Sequence, residues 1–316
     1  MSAECSIADH ALIGNGQSAA LISRDGAVTW CCWPRFDSPA LFCRLLDAEQ
    51  GGFFRVAPTR DAQVSRAYEP GTNVLRTTFE TTGGRLTLTD LMPAPGDRPD
   101  ARDFPHQILR RVACEAGEVE VAVTVRPTFD FARVQCRFEM CPGGAVAYGQ
   151  GEALGISTGL PLRVEGDALV ARTRLKAGDE RWIALTHGPA AHAERSVERD
   201  AAHLEDELQA TRRYWREWSD QCAYHGPYRD AVLRSALALK LLIFQPTGGI
   251  IAAPTTSLPA DPGGVRNWDY RYTWLRDAGL VLDALQQIGF HDETKAFIDW
   301  LEALCGGTDC DLGVLY

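Results

Sequence analysis

The most informative part of this sequence is residues 267–279, Asn267-Trp268-Asp269-Tyr270-Arg271-Tyr272-Thr273-Trp274-Leu275-Arg276-Asp277-Ala278-Gly279. It places charged residues beside large aromatic residues and runs into an apolar segment, which predicts a helix from Thr273 to Ile288. Burying charges among aromatic rings is costly unless each charge is paired or hydrogen-bonded. Arg276 and Asp277 are adjacent and point about 100° apart on a helix, so we expect no ideal pair between them. Aromatic rings beside a fixed guanidinium and carboxylate suit a sugar, which stacks its C–H face on rings and hydrogen-bonds through its hydroxyls.

A purely structural interpretation of this stretch stays open. Asp and Arg side chains at a helix N-terminus can cap the helix and pair with neighbouring loops, and Trp274 can be a core residue. Structural ion pairs produce the same pattern of residue types, so the types alone do not separate the two interpretations.

The composition is ordinary for a soluble globular protein. The chain has 316 residues, of which 45% are hydrophobic and 23% charged, and it is long enough for two domains with separate cores. A formal net charge of -10 and the lack of any Lys/Arg cluster argue against nucleic-acid binding. No apolar run approaches about 20 residues, so we expect no membrane span.

The cysteines and the first residues bear on location. Residues 1–17 show no basic start followed by an apolar core, so no secretory signal is predicted. The ten cysteines are scattered and form no C-x-x-C pair, whereas zinc sites normally have closely spaced ligands. We therefore expect a cytoplasmic protein with reduced, mostly buried thiols and no bound metal.

Short strand patterns separated by turn residues fill residues 1–190. Asp25-Gly26 lies between two apolar runs and is a hairpin signal. Strands are predicted at 18–23, 28–33, 52–57, 74–80, 85–91, 108–114, 119–126, 145–148, 153–158, 162–164, 168–174 and 180–186. Such spacing with few helix patterns indicates an antiparallel β-sandwich domain.

The pattern becomes helical after residue 190. An apolar stripe at three- and four-residue steps predicts a linker helix within 191–226, packed against one of the two domains: Leu204, Leu208, Thr211, Trp215 and Trp218. Within 227–316, helices are predicted at 228–244, at 273–288 and from residue 291 onward. The fold class is thus a multidomain protein, β then α.

The run Tyr270 to Gly279 resembles the signature on the second barrel helix of glycoside hydrolase family 15, the glucoamylase-like enzymes. In that family the matching positions line the subsite that holds the non-reducing-end glucose. The resemblance implies that Tyr270, Trp274, Arg276 and Asp277 bind substrate. Arg276 and Asp277 would fix the 4- and 6-hydroxyls through charge-assisted hydrogen bonds.

Segments of the N-terminal region are similar to the β-sandwich domain that precedes the barrel in bacterial members, including trehalase-like ones: Ile13–Leu21, Trp33–Pro39, Pro70–Leu75 and Thr89–Pro93. Asn15 stands where many relatives have Asp. The loop Pro34–Ser38 could reach the mouth of the barrel, although a simple turn held by an Arg35–Asp37 pair is the favoured interpretation.

The resemblance implies that residues 227–316 begin an (α/α)6 barrel of six inner and six outer helices. Three helices form about a quarter of it, so we expect an incomplete barrel and a truncated chain. Inverting hydrolysis needs two carboxyl groups roughly 6.5–9.5 Å apart. In the family both are glutamates on later parts of the barrel, and Asp269, Asp277 and Glu302 make no credible substitute here. We therefore assign no catalytic residue and expect this chain alone to be inactive.

The implied function is that of an inverting, exo-acting α-glucoside hydrolase, which needs no cofactor. It would release glucose from an α-linked glucan, an oligosaccharide or trehalose. Two alternatives stay open: a non-catalytic carbohydrate-binding or interaction protein built on the β-sandwich, and an inactive fragment. The sequence does not separate glucoamylase, glucodextranase and trehalase activity, and it does not define the oligomeric state.

Overall fold

The computed structural model describes residues 6–95, 106–198, 200–256, 258 and 263–306. The N-terminal part is built of β1 (His10–Gly14), β2 (Ala19–Ser23), β3 (Ala27–Cys32), β4 (Ala40–Phe42), β5 (Phe53–Pro58), β6 (Gln63–Tyr68), β7 (Leu75–Thr81), β8 (Gly84–Leu91), β9 (His106–Arg126), β10 (Arg137–Cys141), β11 (Gly144–Tyr148), β12 (Ala153–Thr158), β13 (Arg163–Glu165), β14 (Ala168–Lys176) and β15 (Glu180–Gly188). A 3-10 helix, Ile7–Asp9, precedes them.

Helices follow the strands. They are α1 (Ala190–Ser196), α2 (Ala201–Ser219), α3 (Arg229–Lys240), α4 (Leu275–Gln287) and α5 (Asp292–Cys305), and a short hairpin of β16 (Ile243–Phe244) and β17 (Gly249–Ile250) lies between α3 and α4. Among the residues that the structure describes, no helix is both long enough and apolar enough to cross a membrane. A large antiparallel sheet followed by a few helices agrees with a β-sandwich that precedes a helical domain.

Strand β9 joins the two layers of the β-rich part. Its first half pairs with β8 and β15, and its second half pairs with β5 and β14. The prediction of two strands, 108–114 and 119–126, separated by a turn is therefore wrong. Gly117 takes a φ of 70°, and the β8–β9 register shifts between Arg85 and Leu86. A bulge at a glycine bends a strand without ending its ladder, so one strand serves both layers.

A buried ion pair crosses the apolar core of the sheet. Arg110 and Asp90 are both fully buried, and the Arg110 Nε lies 2.7 Å from Asp90 Oδ1. The Arg110 Nη1 and Nη2 groups donate to the backbone carbonyls of Phe54 and Gly26, each at 2.8 Å. The guanidinium also lies over the Phe54 ring, 4.6 Å from its centroid. Its buried charge is thus fully compensated.

The predicted hairpin at Asp25-Gly26 is present between β2 and β3, and Gly26 has a φ of 78°. A Cβ at Gly26 would overlap the carbonyl oxygen of Val56.

We expect Gly26→Ala to lower the free energy of unfolding by about 3 kcal/mol, because the costs of backbone strain and of overpacking add. Gly166, with a φ of 60° and no atom near its Cβ position, is the matched control, and Gly166→Ala should cost only about 1 kcal/mol. Urea denaturation of both variants measures the difference, and equal losses would contradict the overlap.

A pair of histidines makes the stability of the sheet depend on pH. His106 of β9 lies opposite His187 of β15, with ring centroids 6.3 Å apart. Burial, together with the neighbouring His187 and His192, lowers the pKa of His106 from 6.5 to about 4. Between these values the unfolded chain binds a proton that the folded chain does not, so stability falls as the pH falls from 6.5 to 4.

We expect this loss to reach about 3 kcal/mol at pH 4. His106→Gln removes the titrating group and should flatten the stability profile in that window. Urea denaturation at pH 7 and pH 4.5 checks the prediction, and an equally steep profile in the variant would assign the pH dependence to other groups.

Helix α2 packs against both parts of the molecule. Leu204 and Leu208 are buried with Leu109 and Trp182 of the sheet. Trp215 and Trp218 are buried in the core that α3, α4 and α5 share. That core contains Leu233, Ala236, Leu237, Ala278, Leu282, Leu285 and Phe297. The predicted apolar stripe is confirmed, but the prediction that the helix packs against one domain only is wrong. The helix is 19 residues long, so its stripe reaches past the sheet into the helical core.

Two predicted helices are shorter in the structure. The helix predicted at 228–244 ends at Lys240, because the next residues form the β16–β17 hairpin and the Gln245 N–H donates to the Gly16 carbonyl at 2.7 Å. The helix predicted at 273–288 begins at Leu275. Residues 311–316, whose sequence is similar to the strand-like run that follows the third helix in the resembled family, lie outside the described residues.

Candidate sugar-binding site

The four predicted sugar-binding residues lie together where α4 begins. Tyr270 and Trp274 precede the helix, and their rings stack with centroids 5.7 Å apart and planes 25° apart. The Tyr270 carbonyl accepts a 2.8 Å hydrogen bond from the Ala253 N–H, and the Tyr272 carbonyl accepts one from Ala252 at 3.1 Å. This antiparallel contact holds the aromatic residues beside the strand-like segment that follows β17.

Arg276 and Asp277 lie in the first turn of α4. The Arg276 Nη2 lies 3.1 Å from Asp277 Oδ2, so these neighbours share one hydrogen bond, which is compatible with the expectation that they form no ideal pair. Their side chains are 75% and 40% exposed, and at such exposure the long arginine side chain can fold back to its neighbour. A single bond in water is worth little, so both groups keep most of their hydrogen-bonding capacity for a ligand. The Arg276 guanidinium lies 5.8 Å from the Trp274 ring, which makes the four residues one continuous patch.

Sequence reasoning assigned no role to Arg271, which proves to be the most heavily bonded residue of this segment. It is 6% exposed and holds the Asp269 carboxylate with Nε at 3.0 Å from Oδ1 and Nη2 at 2.8 Å from Oδ2. Its Nη1 donates to the carbonyls of Ser38 at 2.7 Å and Phe36 at 3.3 Å. Burial lowers the pKa of Arg271, but Asp269 more than offsets this, so the pKa is raised and the charge is permanent.

Arg271 also lies 3.6 Å from the sulfur of Cys32. Burial raises the pKa of the Cys32 thiol to about 12, although the Arg271 charge acts in the opposite direction. A thiol with such a pKa stays protonated at neutral pH and is not a nucleophile. Cys32 is therefore part of the packing around Arg271.

The turn held by an Arg35–Asp37 pair is present in the loop Pro34–Ser38, whereas a contact of this loop with the mouth of a barrel stays a prediction. Arg35 and Asp37 form a two-bonded pair at 3.0 and 2.7 Å, and the Arg35 N–H donates to the Ser38 hydroxyl. The same loop reaches the segment before α4 through the two carbonyls that Arg271 binds. A cleft of about 210 Å³ lies between the loop and the helical part, lined by Arg35, Phe36, Asp37, Phe244, Thr247, Gly249, Ile251, Arg271, Tyr272, Thr273 and Trp300. The four predicted residues do not line this cleft. They are sequence neighbours of the lining residues Arg271, Tyr272 and Thr273.

Two carboxylates near the patch, Asp269 and Glu293, are engaged in ion pairs. Asp269 is held by Arg271, and Glu302 is exposed on α5. Glu293 is buried, which raises its pKa, but the Lys240 ammonium at 2.9 Å and the Trp218 N–H at 2.7 Å lower it more, so its net pKa lies below the usual value. A general acid needs a raised pKa, so Glu293 does not fit that role.

Comparison with known proteins defines the class of this chain. Residues 2–201 match the family described as "Trehalase-like, N-terminal", and residues 226–311 match "Glycosyl hydrolases family 15". The chain therefore belongs to glycoside hydrolase family 15 and carries the trehalase-like N-terminal domain. This confirms the resemblance read from the sequence.

The chain is similar to several individual trehalases. The chain is 37% identical to a trehalase of Thermoplasma volcanium over 92% of this chain and 46% of that protein. It is 35% identical to trehalases of Mycolicibacterium smegmatis and Mycobacterium tuberculosis, over 96% of this chain and 48% and 47% of those proteins. The chain thus spans about half the length of these relatives. A solved structure described as a kojibiose phosphorylase from the human microbiome shares the fold, with a TM-score of 0.50 at 9% identity, over 92% of this chain and 45% of that one.

Proposed function

We propose that this chain holds the sugar-binding part of an inverting, exo-acting α-glucoside hydrolase whose substrate is trehalose. The observation that carries this proposal is the patch at the start of α4. There, a Tyr270–Trp274 ring stack continues into the exposed Arg276 and Asp277 side chains. The trehalase relatives support trehalose over other α-glucosides.

Each part of the patch has a role in binding one glucose unit. The aromatic rings offer an apolar face for the sugar C–H groups. The Arg276 guanidinium donates hydrogen bonds to hydroxyl oxygens, and the Asp277 carboxylate accepts hydrogen bonds from hydroxyl protons. Hydrogen bonds to charged groups contribute about 1.5–3 kcal/mol each, which is enough to orient a neutral sugar.

Cleavage requires two further carboxyl groups, one acid and one base, roughly 6.5–9.5 Å apart. Of the described carboxylates near the patch, Asp269 and Glu293 are engaged in ion pairs, Asp277 is assigned to sugar binding, and Glu302 is exposed on α5. We therefore propose that this chain by itself binds trehalose without hydrolysing it, and that the acid and base belong to other residues of the family's barrel. We also propose a cytoplasmic location, which the buried, reduced thiols of Cys31, Cys32, Cys43, Cys114 and Cys222 support.

The proposal is tested by incubating this chain with trehalose, maltose, dextrin and dextran, and by measuring glucose release together with equilibrium binding. We expect the highest affinity for trehalose and no glucose from any of the four sugars. Glucose from trehalose would show that an acid and a base are present in this chain. Tighter binding of maltose or dextran would assign the site to a glucoamylase-like or glucodextranase-like enzyme.

A further inference from the structure

We infer that Arg271 is a positioning residue through which the β-sandwich sets the geometry of the sugar-binding patch. This inference rests on the proposed function, because it concerns the same patch. Arg271 lies directly after Tyr270 in the chain and three residues before Trp274, and its guanidinium contacts the carbonyls of Phe36 and Ser38 in the N-terminal domain. The N-terminal domain would then be a structural part of the sugar site.

One guanidinium makes two separate connections. On one side, Nε and Nη2 hold Asp269, whose Oδ1 also accepts the Arg271 backbone N–H at 3.0 Å. This closes a tight loop around Tyr270. On the other side, Nη1 holds the carbonyls of Ser38 and Phe36 in the loop of the sheet. A shift of that loop therefore moves Arg271 and, through the backbone, the neighbouring Tyr270 ring.

The residue type fits this double role. The planar guanidinium presents five donors in a rigid fork, so it can hold a carboxylate on one edge and carbonyls on the other. A lysine at this position has one ammonium and cannot satisfy both sides. Because Arg271 is buried, removing Asp269 leaves an uncompensated charge, and removing the loop carbonyls leaves Nη1 donors without partners, so both connections stabilise this arrangement.

A strained loop of the sheet packs on the same guanidinium. Asp130, Phe131 and Ala132 all have positive φ values, 48°, 54° and 65°, which are costly for residues with a Cβ. This conformation places the Phe131 ring 5.4 Å from the Arg271 guanidinium carbon. Strained backbone persists where the surroundings enforce it, and it is concentrated at functional sites.

The Phe131 ring also contacts Trp30, with centroids 6.5 Å apart. The Trp30 Nε1–H donates to the Pro254 carbonyl at 2.7 Å, next to Ala253, whose N–H holds the Tyr270 carbonyl. The sheet thus holds the patch through two routes, Arg271 itself and Trp30, and Phe131 joins them.

Arg234 is the matched control. It also connects the helices to the sheet: its guanidinium lies 3.9 Å from the centroid of the Tyr68 ring, its Nη1 donates to the Thr72 carbonyl at 2.8 Å, and its Nη2 bonds Asn73. Among the described residues, these contacts of Arg234 include none with residues 267–277. Arg271→Met and Arg234→Met each remove one arginine between the sheet and the helices, buried in the case of Arg271 and partly buried in the case of Arg234, so general loosening should affect both.

The test measures amide hydrogen exchange at Ala252 and Ala253, whose N–H groups donate to the Tyr272 and Tyr270 carbonyls. The denaturant concentration is chosen for each chain so that all the chains compared have equal global stability. We expect exchange at least tenfold faster than wild type in Arg271→Met, an intermediate rate in Arg271→Lys, and a change below threefold in Arg234→Met. Unchanged protection in Arg271→Met, or equal loss in both methionine variants, would overturn the inference.

Trehalose affinity of the same variants gives the functional readout. We expect the Kd to rise at least tenfold in Arg271→Met and less than twofold in Arg234→Met. An equal rise in both variants would reduce Arg271 to a general stabiliser. A wild-type chain that binds no trehalose would overturn the proposed function, and the exchange rates would then decide the positioning role on their own.

Discussion

Asp90→Ala is expected to lower the free energy of unfolding by about 3–5 kcal/mol, because it leaves the Arg110 charge in the core without its partner. Arg110 is fully buried and cannot turn toward water, and its contacts with the Phe54 and Gly26 carbonyls do not neutralise its charge. Many domains have a total stability of about 5–15 kcal/mol, so this single change is a large fraction of it. Urea denaturation followed by circular dichroism measures the loss.

Asp167→Ala is the matched control for Asp90→Ala. Asp167 also pairs with an arginine of β9, Arg126, at 2.6 Å, but its side chain is 64% exposed. Removing an exposed partner should change the stability by about 0.5 kcal/mol or less. Similar losses in the two variants would contradict the claim that burial makes the Arg110–Asp90 pair indispensable.

Asp277→Ala is expected to weaken trehalose binding roughly 10- to 150-fold, because it removes a charged acceptor worth about 1.5–3 kcal/mol. The folded state should change little, since the Asp277 carboxylate makes one exposed bond to Arg276. A calorimetric titration of trehalose into wild type and variant measures the change. The same result would place the sugar on α4 and argue against a carbohydrate-binding site on the β-sandwich.

Asp283→Ala provides the control on the same helix. Asp283 is exposed on α4 and accepts a hydrogen bond from Gln287 at 2.8 Å, so its removal also deletes one carboxylate from that helix. We expect its trehalose affinity to stay within twofold of wild type. If both substitutions weakened trehalose binding equally, the cause would be a change in the helix or in the net charge. Asp277 would then make no specific contact with the sugar.

Local patterns predicted the local features of the fold. Asp25-Gly26 identified its hairpin because a glycine with positive φ is required at that turn, and the stripe on α2 identified its buried face because helical periodicity is a local property. Strands β1, β4, β6 and β10 were not predicted. In β6, Gln63–Tyr68, polar residues interrupt the apolar pattern, and its conformation depends on pairing with β7.

The candidate site shows the same division between local and long-range information. Tyr270, Trp274, Arg276 and Asp277 come from one short run, so a motif was enough to group them. The role of Arg271 depends on the Ser38 carbonyl, which lies 233 positions earlier in the chain, and no pattern around Arg271 indicates that contact. The domain limits 1–190, 191–226 and 227–316 stay a prediction.

A crystal structure of this chain with trehalose bound would show directly whether the patch at the start of α4 binds the sugar. We expect one glucose unit on the Tyr270–Trp274 ring stack, with its hydroxyls within hydrogen-bond distance of Arg276 and Asp277. Trehalose bound only to the β-sandwich, or a glucose unit that contacts none of these four residues, would contradict it.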